Sequence, residues 1–308
     1  MSYRILITGS EGLVGTALRR LLEARGLHVV GLDLLARNAE EGDVRDAERV
    51  RTAVAGCDGI VHLAAVSRVV WAERDPETCW STNVGGLHNV VDAAMDRACP
   101  PWLVFASSRE VYGQPESLPV TEDAPLRPVN VYGRSKVEGE RIVGVARRNG
   151  LRAAIVRLSN VYGSTSDHAD RVVPAFARAA ARGDALRVEG AEHTFDFTHI
   201  DDTARGILAL IEILVAGESV PPPIHLLTGQ PTTLGQLAEM AVRLAGARST
   251  VEQAPPRSFD VSHFYGSPAR ARALLDWTPR TAIHEGLGRL IEDFQVELGA
   301  REHTGVAL

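Results

Sequence analysis

"LITGSEGLVGTAL", residues 6–18, runs from a short apolar stretch through three glycines, Gly9, Gly12 and Gly15, into a stretch with helical apolar spacing. Two readings are open. Glycine is the usual residue of a tight turn or helix end, and a lone GxxGxxG carries little information. A glycine turn joining a strand to a helix also lets the backbone approach a pyrophosphate, whose charge then rests on the free N–H groups of the helix N-terminus.

The surrounding pattern decides the fold. "YRILIT", "LHVVGLD", "GIVHLAA", "WLVFAS" and "RAAIVRLS" read as buried strands, and Leu13–Arg25, Asp46–Ala55, Glu77–Asp96 and Val131–Asn149 carry helical spacing between them. Near-continuous apolar strands alternating with helices predict an α/β fold, a doubly wound parallel sheet of Rossmann type. After about residue 160 the alternation stops. A smaller, partly interleaved C-terminal lobe is expected over 161–194 and 217–308, with 195–216 returning to the first domain of residues 1–160. Its expected elements include strands "ALRVEG" and "IHLLTG", a helix over Thr233–Ala245, and two short helices around Ala271 and Leu287.

The 308 residues, 45% hydrophobic, suffice for a large core. A net charge of −6 with 33 Lys+Arg and no basic block excludes a nucleic-acid or anionic-membrane footprint. Cys57, Cys79 and Cys99 have no CxxC spacing and suit a reducing compartment. With no signal-like leader and no run of roughly 18 apolar residues, the expected location is the cytoplasm. His62, His193 and His199 lack ligand spacing, so they are read as structural or exposed, and no metal is expected.

Two further positions select the phosphate reading. Asp33 ends the second strand about 20 residues after the glycines, where a carboxylate accepts hydrogen bonds from the adenosine ribose. No arginine follows immediately to hold a 2′-phosphate, so Asp33 favours NAD over NADP. Asp43 in "GDVRD" is either an adenine contact or a turn former.

In "VYGRSKVEGE", residues 131–140, Tyr132 and Lys136 stand four apart and project from one helix face. A lysine near a phenol favours the phenolate and makes it a usable base. On its own, YxxxK is more simply a surface pair. "FASSREVYG" adds Ser107 and Ser108 at a strand end, hydroxyls able to bond the same substrate oxygen.

Glycine turn, acidic end of the second strand, serine after the fourth strand and YxxxK on the next helix follow the order of an extended short-chain dehydrogenase/reductase. The chain resembles the NAD-dependent epimerase/dehydratase enzymes that act on nucleotide sugars, of the UDP-glucose 4-epimerase kind. The likeness runs nearly end to end, through "TGSEGLVG", "HLAA", "DPETCWSTNVGG", "SSREVYG", "YGRSK", "RLSNVYG", "FDFTHIDD" and "LDWTP".

The resemblance implies NAD as cofactor, held by Gly9, Gly12, Leu13, Gly15, Asp33, Asp43, Val44, Leu63, Ala64, Ala65, Tyr132 and Lys136, and a nucleotide-diphosphate sugar as substrate. It further implies substrate contacts from Asn160, Arg257 and Asp260, with Leu186 and Val188 enclosing the base, and a homodimer formed through the helices from Thr78 and from Val131. Asn83 either positions the Tyr132 helix or the cofactor, or is a locally satisfied amide. Two positions depart from the pattern. Phe195 stands where many relatives carry an arginine that contacts phosphate, the loss of a charge-assisted bond of about 1.5–3 kcal/mol. Arg109 replaces the first acid of the dehydratases, while Glu110 keeps the second, which removes a C5 proton there.

The resulting expectation is 4-epimerisation: Tyr132 takes the 4-OH proton, Ser108 bonds that oxygen, and hydride leaves C4 and returns to the other face. A 4,6-dehydratase or decarboxylase with Glu110 as base is the alternative. A non-catalytic NAD sensor is the reading from another class.

Overall fold

In this computed structural model the described residues are 3–255 and 261–304, with side chains described to residue 300. In chain order the elements are β1 (Arg4–Thr8), α1 (Leu13–Ala24), β2 (His28–Leu32), α2 (Ala47–Val54), β3 (Gly59–His62), α3 (Val69–Arg74), α4 (Pro76–Trp80), α5 (Gly86–Met95), β4 (Trp102–Ser108), α6 (Val131–Arg148), β5 (Ala153–Leu158) and β6 (Asn160–Tyr162). There follow α7 (Val172–Arg182), β7 (Leu186–Glu189), β8 (Thr194–His199), α8 (Ile200–Val215), β9 (Ile224–Leu226), β10 (Pro231–Thr233), α9 (Leu234–Leu244), β11 (Val251–Ala254), α10 (Ala269–Leu275) and α11 (Ile283–Thr304).

The main sheet is parallel, in the order β2-β1-β3-β4-β5-β9. Strand parity explains its two helical layers. Ile5 and Ile7 of β1 pack with Ala17, Leu18 and Leu22 of α1 and with Ile207 and Ile211 of α8, whereas Leu6 between them packs with Val50 of α2, Leu87 of α5 and Ile142 of α6. Successive side chains of a strand leave opposite faces, so a strand buried on both faces reads as an unbroken apolar run. Chain order reverses between β1 and β3, and the crevice beyond the strand ends at such a point is where ligands bind in open α/β sheets.

The smaller lobe is built on β10-β8-β6 and β11-β7, with α7, α9 and α11 packed over a separate core that includes Phe176, Phe197, Leu237 and Phe294. Thr233 and Gln236 form a reciprocal cap at the start of α9.

Three elements differ from the sequence reading. Residues 195–199, expected with the first domain, lie in β8, which pairs with β6 and β10 in the smaller lobe, and only α8 returns to the main sheet. Ile224–Leu226, expected in the smaller lobe, pairs with β5 as an edge of the main sheet, with Ile224 and Leu226 buried on one face and His225 on the other. In place of a short helix around Leu287, α11 runs for 22 residues. Leu287, Leu290, Ile291 and Phe294, at helical spacing, seat it on the lobe core despite its internal glycines.

A buried charge cluster ties α6 to the sheet. The Arg157 guanidinium of β5 is bidentate on Glu140 of α6 (2.8 and 2.7 Å), and Ser107 of β4 donates to the same carboxylate at 2.6 Å. Arg157 also donates to the Tyr112 hydroxyl and the Glu122 carbonyl. Tyr132, Lys136 and Glu140 share one face of α6, so anchoring Glu140 sets the other two.

Candidate active site

A cleft of about 870 Å³ opens between the strand ends of the main sheet and the smaller lobe. The glycines enter it for three different reasons. Gly9 has φ +74°, a left-handed conformation, and a side chain there would meet the Ala64 backbone at 2.8 Å. At Gly15 an added Cβ would lie 2.2 Å from the Gly9 carbonyl, so only glycine allows α1 this close to the turn. At Gly12 an added Cβ would meet only the Gly9 carbonyl, at 3.3 Å; it would otherwise occupy open cleft. Gly12 is the N-cap of α1 and supplies no side-chain cap, and the first turn holds no acidic residue. This cradle fits a pyrophosphate.

Asp33 stands beside it, its carboxylate accepting from the amides of Glu11 (3.0 Å) and Leu35 (2.8 Å). Asp43 lines the same cleft but also makes the turn: it accepts from the Arg45 guanidinium and amide, which hold its carboxyl below the ordinary range. Leu13, Val44, Leu63, Ala64 and Ala65 complete this wall.

Ser108, at the end of β4, and Tyr132 and Lys136, on α6, converge on the far end of the cleft. The Asn130 side chain caps α6 by accepting from the Gly133 amide at 2.7 Å. Lys136 donates to the Ala106 carbonyl at 2.9 Å, and burial pulls its ammonium down to about 8. Burial pushes Tyr132 up to about 12, offset by hydrogen bonding to Ser108 and then by the charge of Arg171. The sequence reading assigns the cation acting on the phenol to Lys136. Arg171 is not visible at that level because it arrives from a distant loop, where it also meets Asp167 and donates to Ser67. Ser107 does not share the role of Ser108, since its hydroxyl belongs to Glu140.

Asn83 sits in a π-turn over Ser81–Gly85 and is 2% exposed. Its amide accepts from the Val66 N–H (2.7 Å) and donates to Ser135 on α6 (2.9 Å), so it links the loop after β3 to the Tyr132 helix. Glu110 is buried with both oxygens engaged, Oε1 by Arg109 at 2.9 Å and Oε2 by Asn130 at 2.8 Å. Asn160 lines the cleft and reaches the Asp196 carbonyl at 3.5 Å.

Leu186 and Val188 are corrected. Both are buried in the core of the smaller lobe, and the cleft side of β7 carries Arg187 and Glu189 instead. One step of strand parity separates the two assignments. Arg257 and Asp260 lie outside the described residues. His62, His193 and His199 are buried rather than exposed, and no group of three potential metal ligands occurs among the described residues.

Residues 5–221 match the model of the NAD dependent epimerase/dehydratase family. The chain belongs to this family. UDP-glucose 4-epimerase of Streptomyces lividans is 30% identical, with 92% of this chain and 93% of that protein covered. Among solved structures, UDP-glucose 4-epimerase of Thermus thermophilus in complex with NAD has a TM-score of 0.84 at 28% identity, covering 95% of this chain and 99% of that one. The Thermotoga maritima UDP-glucose 4-epimerase with UDP-glucose has a TM-score of 0.89 at 25% identity, covering 96% and 99%. Among the described residues no helix is long and apolar enough to cross a membrane.

Proposed function

We propose that the protein is an NAD-dependent nucleotide-sugar 4-epimerase. The observation that carries this reading is the meeting of Ser108, Tyr132 and Lys136 in the cleft that also receives the glycine turn and Asp33. The turn from Gly9 to Gly15 would hold the pyrophosphate of NAD and Asp33 the adenosine ribose, with Asp43 and Val44 at the adenine. Leu63, Ala64 and Ala65 would line the path to the nicotinamide, and Lys136 would bond its ribose. When bound, NAD supplies reversible hydride exchange with C4 of the sugar.

Tyr132 takes the proton from the 4-OH and returns it after the sugar has presented its other face. Ser108, bonded to Tyr132, holds that oxygen in reach. A phenol held near 12 is a weak acid and a poor base at neutral pH. The ammonium of Lys136, the guanidinium of Arg171 and the positive charge brought by the oxidised cofactor all favour the phenolate once substrate binds. Asn160 and the Arg257 position are proposed to hold the nucleotide diphosphate, and the Asp260 position the substrate ribose.

The engagement of Glu110 weighs for epimerisation over dehydration or decarboxylation. Its two oxygens brace Arg109 and the Asn130 cap, a structural use that taking a C5 proton would disturb. Trp80, 45% exposed on α4 beside α6, supports pairing of two copies through these helices, and the three unpaired cysteines fit a cytoplasmic setting.

A panel of UDP-, dTDP-, GDP- and CDP-sugars turned over in D2O, with products read by NMR, tests the reading. A C4 epimer without deuterium at C5 or C6 is expected. Label at either carbon, or a Tyr132→Phe variant as fast as the parent, would overturn it; that variant is expected to lose about 10²–10⁴-fold.

A further inference from the structure

Arg109 follows Ser108 directly and lines the same cleft, its side chain 11% exposed. The guanidinium centre lies 4.7 Å from the ring centroid of Phe195 and 5.6 Å from that of Phe264. Both rings belong to the smaller lobe: Phe195 is in β8, and the Phe264 amide bonds the Thr194 carbonyl at 2.8 Å. Packed against two rings and tied through Nη2 to Glu110, the group is held in one orientation.

Nη1, however, is buried without a hydrogen-bond partner. An unpaired donor on a charged group is costly, and one that persists in a native cleft calls for a ligand. The same ligand would make sense of Phe195. At the position where the resemblance leads one to expect a phosphate-binding arginine, this chain has an aromatic ring, and a cation from the opposite wall lies on that ring.

We propose that Arg109 Nη1 binds an oxyanion of the nucleotide-sugar substrate and that Arg109 is a specificity-determining residue. This rests on the epimerase reading for the identity of the substrate. The oxyanion is either the diphosphate or a carboxylate carried by the sugar. A planar guanidinium at the cleft wall with an unpaired N–H suits both.

The test uses Arg109→Gln and Arg109→Lys, each checked for bound NAD and thermal midpoint. Three quantities are compared with the parent: affinity for UDP relative to uridine, and kcat/KM for UDP-glucose and for UDP-glucuronate. If the diphosphate is the ligand, Arg109→Gln loses at least tenfold in UDP affinity while uridine binding is unchanged. If a carboxylate is the ligand, UDP binding is unchanged and the kcat/KM ratio of UDP-glucuronate over UDP-glucose falls at least tenfold. A merely structural arginine would move neither ratio, and both ratios within threefold of the parent would overturn the proposal. Should the glutamine variant fail to fold, the lysine variant carries the same comparison, because it keeps the charge and loses the fork. A parent protein that binds UDP but epimerises no sugar would overturn the epimerase reading while leaving the UDP-to-uridine comparison intact.

Discussion

Glu140→Ala is expected to destabilise the protein by about 3–5 kcal/mol. The carboxylate accepts three bonds, two from Arg157 and one from Ser107, and the Glu140 and Arg157 side chains are 8% and 5% exposed. Removing it strands a buried guanidinium, whose remaining partners are the Tyr112 hydroxyl at 2.6 Å and the Glu122 carbonyl at 2.8 Å. Those two bonds place the expected cost toward the lower end, about 3 kcal/mol. Glu140→Met combined with Arg157→Leu removes both charges, so the double variant is expected to cost less than the sum of the singles by at least about 1 kcal/mol. Urea unfolding of the parent, Glu140→Met, Arg157→Leu and the double variant closes the cycle. A cost below about 1 kcal/mol for Glu140→Ala, or strict additivity, would refute the claim that this pair anchors α6. Activity gives a second readout, because Glu140 lies one turn beyond Lys136 on the face that also bears Tyr132.

Gly12→Val is expected to fold normally and purify without NAD, since its side chain meets little protein but fills the cradle; a variant with normal cofactor content would contradict this. Gly15→Val is expected to lose stability as well, its Cβ lying against the Gly9 carbonyl, and unchanged urea unfolding would contradict that packing. Lys136, held near 8 in the native cofactor-free protein against 10.5 as its ordinary value, binds fewer protons folded than unfolded between those pH values. Native stability should therefore gain on the order of 3 kcal/mol from this group as pH rises through that window, and Lys136→Met should lack the gain. Parallel stability curves for the two proteins would show that Lys136 is not desolvated.

What is legible in the sequence follows from local periodicity. Buried strands such as "RILIT" announce a parallel sheet because both of their faces are covered, and Tyr132 with Lys136 share a helix face by spacing alone. The losses occur where long-range register decides. Leu186 and Val188 differ from Arg187 and Glu189 only in which face of β7 meets the core, which depends on strand pairing. Arg171 reaches Tyr132, and Arg109 reaches Phe195, from loops and strands distant in the chain, so no local pattern announces either. The length of α11 is hidden by glycines that weaken its helical signal, while its apolar spacing against the lobe core is the stronger term.

The central claim, hydride leaving and returning at C4 within one site, is tested most directly with the nucleotide sugar that the panel shows to be turned over, deuterated at C4. The expected product is the C4 epimer of that sugar with the deuterium kept at C4 and no transfer to unlabelled substrate present in the same tube. Solvent hydrogen at C4, or a product that has lost water (or, from a uronate, carbon dioxide), would contradict it.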